Sequence, residues 1–161
     1  MKPLATRAEL AAGLIAGIAG AILIDLFLFG AEMTHGTPLA TVIAQTGRFI
    51  ASAVMGPSAA TNPAAPAIGI VLHFLVSIGW AYGYVYLVRS QPQLLSRPWI
   101  SGAAFGLVVY IFMSLVTLAA GLYHRPGPTA LFTALVAHVL FFGIPVALIV
   151  SRRLSQAPAR A

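Results

Sequence analysis

Four apolar stretches of about 20 residues, each bounded by charge, Pro or Gly, constrain this chain more than anything else in its sequence. They run approximately from Glu9 to Gly30, Ala67 to Val88, Trp99 to Leu122 and Thr129 to Val150. At ~1.5 Å of rise per residue, each helix would cross a hydrocarbon layer ~30 Å thick. An open strand cannot satisfy its amides and carbonyls in lipid, so the spans are expected to be helical. Composition agrees: 7% of residues are charged and 60% hydrophobic, whereas soluble domains carry roughly 25% charged residues. The expected fold is all-α, a polytopic membrane four-helix bundle forming a single transmembrane domain over residues 1–161.

The basic residues predict the topology. Lys2, Arg7, Arg89, Arg97, Arg152, Arg153 and Arg160 fall on one side of the four spans, and Arg48 and Arg125 on the other. The richer side is expected to be cytoplasmic, with both termini inside and the bacterial inner membrane as the location. Trp80, Tyr82, Tyr84 and Tyr86 near the end of the second span, with Trp99 opening the third, read as part of an aromatic belt on that side. The net charge of +6 flanks apolar runs and has no interleaved basic and aromatic patch, so the expected partner is the lipid bilayer and not nucleic acid. The absence of Cys excludes disulfides, thiolate metal sites and iron–sulfur clusters. Lys2 and Arg7 precede an apolar run as in a signal peptide, but Leu10 to Phe29 is too long for an h-region, and an uncleaved first helix is expected.

Between the first two spans, residues Ala31 to Pro66 carry a pattern of their own. Leu39, Val42, Ile43, Thr46, Phe49, Ile50, Ala53 and Val54 recur at helical spacing, which predicts an amphipathic helix over about 38–55. Thr37 reads as its cap, Pro38 as its first residue and Gly56-Pro57 as its stop, with the following SAATNPAAP irregular. This extra helix is expected on the extracytoplasmic side, at the interface or folded over the bundle. A shallow re-entrant helix is the alternative.

Asp25 stands out, because a carboxyl group inside a membrane helix is costly and faces protein, water or a partner. His73 and His138 fall at similar outer-half depths, roughly 7 to 12 Å in, and Ser114 and Thr117 reach the same zone. The spans are thus expected to share one polar layer. Three readings stay open for it. One is a hydrogen-bonded network with Asp25 paired to a histidine or to Arg48; another is a path for protons or solute. The third is ligation of haem b or a divalent metal by His73 and His138. No cofactor is the leading expectation. Glu32, His35, Arg48 and His124 are candidate partners on the outer face, where His35 and His124 would titrate near neutral pH. No serine elbow, Cys–His pair or phosphate-cradling loop is present, so no catalytic residue is assigned and an enzyme is not expected. Ser77, Ser101 and Ser114 read as helix-to-helix hydrogen bonders.

Small residues supply the remaining pattern. Gly13, Gly17 and Gly20, then Gly79/Gly83 and Gly102/Gly106, are spaced for close helix packing within the bundle, with a dimer interface as the alternative. Gly143 and Pro145 are expected to kink the fourth span. Self-association and membership in a larger membrane complex both remain open.

Two segments, HFLVSIGWAYGYVYLV from His73 to Val88 and AHVLFFGIPVALIVSRRL from Ala137 to Leu154, resemble the YagU-like family of small bacterial inner-membrane proteins and allied hypothetical proteins. The resemblance covers most of the chain, though the HRPGPT connection before the last span is shorter than in YagU proteins. It implies a multi-pass inner-membrane protein associated with tolerance of acid stress. It carries over by position to His73 and His138, and to Asp25 from the allied proteins. The functional expectation is a non-enzymatic small proton-sensitive or transport-type unit, or a structural or accessory subunit. A haem- or metal-binding electron carrier is the alternative.

Overall fold

The computed structural model describes residues 6–122 and 126–156. Their regular structure is entirely helical. Five helices follow one another: α1 (Arg7–Thr34), α2 (Leu39–Met55), α3 (Ala65–Ser90), α4 (Pro98–Ala119) and α5 (Pro128–Ser155). All five, α2 counted with the 3-10 turn that extends it to Ala60, are long and apolar enough to cross a membrane. Four of them coincide with the predicted spans. The additional one, α2, has the lowest mean hydropathy of the five, 1.2.

Local chemistry explains the helix ends. At the start of α1 the Thr6 hydroxyl accepts from the Glu9 amide at 3.2 Å while the Glu9 carboxylate accepts from the Thr6 amide at 2.6 Å, a reciprocal cap before an apolar run. The helices α3, α4 and α5 each carry Pro in the first turn, where a missing amide costs nothing. The predicted cap of α2 needs correction. Pro38, with ψ at 141°, is itself the residue before the helix, so Thr37 does not cap it. Gly56 ends α2 with φ at +59°, as expected of a glycine stop, but the segment after it is partly ordered as the Gly56–Ala60 3-10 turn.

Contacts run in opposite directions along four of the neighbouring helix pairs. Along α1 and α3, Glu9 meets Arg89, Leu10 meets Tyr82, Gly17 meets Ile78 and Asp25 meets His73, so the two are antiparallel. Gly20 against Val146 and Phe27 against Phe141 make α1 antiparallel to α5. Tyr84 against Ser101 and Trp80 against Phe112 do the same for α3 and α4, as do Gly102 against Ala147 and Gly106 against Val139 for α4 and α5. The ends Arg7, Ser90, Pro98 and Ser155 therefore share one end of the molecule. Its core is aromatic in the middle, where Trp80, Tyr84, Phe105 and Phe142 pack, and aliphatic toward that end, where Val88, Val146 and Val150 are buried.

Glycine lets the backbones meet. A Cβ on Gly17 would lie 2.5 Å from the Ile78 Cα, and one on Gly106 would lie 2.8 Å from the Val139 Cα. Gly13, Gly20 and Gly102 are also packed against neighbouring helices, as predicted. Gly79 and Gly83 are not: nothing lies within 4 Å of a Cβ built on either. The buried face of α3 carries Ser77, Ala81, Tyr84, Val85 and Val88, and positions two residues from Ser77 and Ala81 point to the opposite side. Close approaches at Gly47, Gly69 and Gly143 were not anticipated. Gly47 and Gly69 let the middle of α2 approach the first two turns of α3, with Gly47 also against Pro66.

The predicted kink in the last span is a change of helix type. Ala137–Gly143 forms a π-helical segment, in which the Ile144 amide reaches back to the Val139 carbonyl. Pro145 has no amide to give, and its ring crowds the carbonyl four residues back. The wider turn just before it absorbs that conflict.

Candidate functional site

Asp25 and His73 meet on the seam between α1 and α3. The seam is narrow because Gly17 removes a side chain from it, and the antiparallel register brings the carboxyl group to the imidazole two turns further out. His73 Nε2 lies 3.1 Å from Asp25 Oδ1, with the two side chains 19% and 15% exposed. Nε2 itself is fully buried, and no acceptor stands in line with it as a hydrogen bond requires. The contact is thus at ion-pair distance but off the hydrogen-bond axis. Distance governs the electrostatics, and the missing alignment leaves Nε2 with unused bonding capacity. The His73 ring also stands edge-on to Phe74 at 5.9 Å.

His138 approaches from α5. Its Nδ1 is 2.7 Å from the Ala134 carbonyl, which can only accept, so Nδ1 carries a hydrogen and donates it. In the neutral ring this leaves the Nε2 lone pair available. The ring packs at 5.7 Å from that of Tyr110 on α4. His138 is the second residue of the π-helical segment, and its carbonyl presses on Gly106. Pro145 and the α4 glycines therefore set where this imidazole stands. π segments recur at functional sites.

The rest of the predicted layer is arranged differently. Ser114 donates to the Tyr110 carbonyl at 2.8 Å and Thr117 to the Ser114 carbonyl at 2.9 Å, so both hydroxyls bond within α4. Such back-bonding satisfies a hydroxyl in lipid without a neighbour, a local option that spacing does not reveal. Arg48 pairs with neither Asp25 nor Glu32. Its Nη1 lies 3.1 to 3.3 Å from the carbonyls of Ala59, Ala60 and Asn62, fastening the turn between α2 and α3. Glu32 and His35 are exposed at the far end of α1. His124 and Arg125 lie outside the described residues, as do Lys2 and Arg160.

Among the described residues no three His, Asp or Glu side chains converge as a metal set. A haem iron at His73 Nε2 would have to compete with the Asp25 carboxyl group 3.1 Å away. The arrangement brings two ionisable side chains together between apolar helices. A carboxyl group and an imidazole stand in contact, and a second imidazole, that of His138, belongs to the neighbouring last helix.

A second polar group at the opposite end was missed. Glu9 and Arg89 pair at 3.3 Å, and the Tyr82 hydroxyl donates to the Leu10 carbonyl at 3.0 Å. The Thr6-x-x-Glu9 spacing before an apolar run was the available signal for a helix start there. Tyr84, assigned to an interfacial belt, is fully buried and bonded to Ser101 at 2.8 Å, whereas Tyr86 and Trp99 are exposed as a belt requires. No known protein family, curated protein or solved structure matches this chain.

Proposed function

We propose that this chain is a multi-pass membrane protein whose Asp25–His73 pair, with His138 beside it, is a proton-responsive site coupled to helix packing. The observation that carries the proposal is the 3.1 Å contact between a carboxylate and an imidazole across two apolar helices. Ionisable side chains at such positions are expensive, and proton relays are a recurrent use for them. The pair lies on the α1–α3 seam and His138 on the π segment, so a change of charge acts directly on two helix interfaces.

Four spans and one interfacial helix are part of this reading. If α1 and α3 both cross, their antiparallel register requires an even number of crossings between them, and α2 is a single helix. The middle of α2 also meets the start of α3 at Pro66, a contact that suits a helix lying across the end of that span. Exposed Leu39, Ile43, Phe49 and Val54 suit an interfacial location. Arg7, Arg89, Arg97, Arg152 and Arg153 gather at the other end, which supports cytoplasmic termini.

The test is proton flux into liposomes carrying the purified protein and a trapped pH-sensitive dye. Wild type is expected to conduct under an imposed gradient and Asp25→Asn to lose most of that flux. Equal flux from the two proteins would sink the proton reading. Absence of flux from wild type, with correct folding, would move the protein to the structural or accessory class.

A further inference from the structure

We infer that the connection between α3 and α4 forms a binding site for one phospholipid, taking its headgroup phosphate at Arg97 and its acyl chain along the first turns of α4. A hollow of about 530 Å³, open on one side, lies here. Its lining divides by chemistry. Gln93, Ser96 and Arg97 supply polar side chains, Leu94 of the connecting 3-10 turn is apolar, and Ile100 and Ala104 follow Arg97 at helical spacing along α4. A free inorganic anion has no use for the apolar half, whereas a phosphodiester with an attached chain fits both.

Side-chain hydrogen bonds brace the walls. The Ser101 hydroxyl lies 3.0 Å from the Leu94 carbonyl, 3.1 Å from the Arg97 carbonyl and 2.8 Å from the Tyr84 hydroxyl. From the other side the Ser151 hydroxyl donates to the Leu95 carbonyl at 2.9 Å. Two helices thus fasten a short 3-10 turn, Pro92–Ser96, whose own hydrogen bonds would not hold it. Pre-set geometry lowers the cost of binding.

The charge has the right sign and the right freedom. Arg97 is exposed at the start of α4, which has no side-chain cap, so the positive end of the helix adds to the guanidinium. Exposed Trp99 and Ile100 flank it, the pairing expected at the boundary between headgroups and hydrocarbon. The site lies at the opposite end of the molecule from Asp25, so each proposal can fail without the other.

The experiment is native mass spectrometry of the full chain in mild detergent, with phosphatidylglycerol as probe and inorganic phosphate as competitor. Wild type is expected to retain one phosphatidylglycerol. Arg97→Gln should weaken retention about tenfold, the loss expected of one charge-assisted hydrogen bond. Ala104→Trp, which fills the apolar half and leaves the arginine intact, should weaken it as well. Arg153→Gln, at the same end but off the hollow, should retain lipid like wild type. Unchanged retention in Arg97→Gln and Ala104→Trp, or equal loss in Arg153→Gln, overturns the site. Displacement of the lipid by inorganic phosphate overturns the assignment to a lipid headgroup.

Discussion

At the scale of single residues, the contact between Asp25 and His73 makes a quantitative demand on stability. Polar pairs in membrane helices couple by about 0.6 kcal/mol on average and up to about 1.7 kcal/mol, because the separated helices also find partners. A double-mutant cycle with Asp25→Asn and His73→Gln, read from unfolding in detergent, is expected to give a coupling energy in that range; additive effects would mean that the 3.1 Å contact contributes nothing. That Asp25 would need a partner was readable from the sequence, and so was a histidine as one of two choices. The choice itself was not readable, because Arg48 is drawn away by three carbonyls of a turn that forms only when α2 folds back on α3. Ser114 and Thr117 show a similar limit. Depth along a helix follows from counting, but a hydroxyl's choice between a neighbour and its own backbone depends on the direction it faces.

At the scale of helices, glycine position separates two outcomes that spacing alone treats as one. Gly17→Ala places a Cβ 2.5 Å from the Ile78 backbone, and the α1–α3 seam has no room to yield without moving Asp25 from His73. The expected loss is about 1 to 3 kcal/mol, as for overpacking elsewhere. Gly79→Ala meets nothing within 4 Å and gains helix propensity, so stability should stay level or rise by up to about 1 kcal/mol. Thermal unfolding of both variants in one detergent checks the contrast, and destabilisation by Gly79→Ala would show that a second copy covers that face. The sequence could not distinguish these glycines because the buried face of α3 is nearly as apolar as its lipid-facing side, so helix rotation is invisible in the pattern. The π segment was half visible. Pro145 announced a disturbance in the last span, but the way it is absorbed depends on Gly102 and Gly106 letting α4 press against the widened turn.

At the scale of the whole molecule, the order of crossings turns on α2, which passes a length and hydropathy criterion for spanning yet meets the first turn of α3 with its middle. The chain has no cysteine, so single-cysteine variants report topology without a background to remove. Thr34→Cys marks the far end of α1, and Thr61→Cys marks the turn after α2. If α2 lies along the surface, both react with an impermeant maleimide from one side of the membrane, while Ser90→Cys and Gln156→Cys react from the other. If α2 crosses, Thr34→Cys and Thr61→Cys label from opposite sides. The two outcomes differ in more than helix count. With α2 at the interface, α1 and α3 run antiparallel as the contacts from Glu9–Arg89 to Asp25–His73 require. With α2 across, α1 and α3 would run parallel, Glu9 and Arg89 would stand on opposite sides of the bilayer, and Asp25 would lose His73. Labelling of Thr34→Cys and Thr61→Cys from one side is therefore also the precondition for the proton site, because only that topology lets the carboxyl group and the imidazole share a depth.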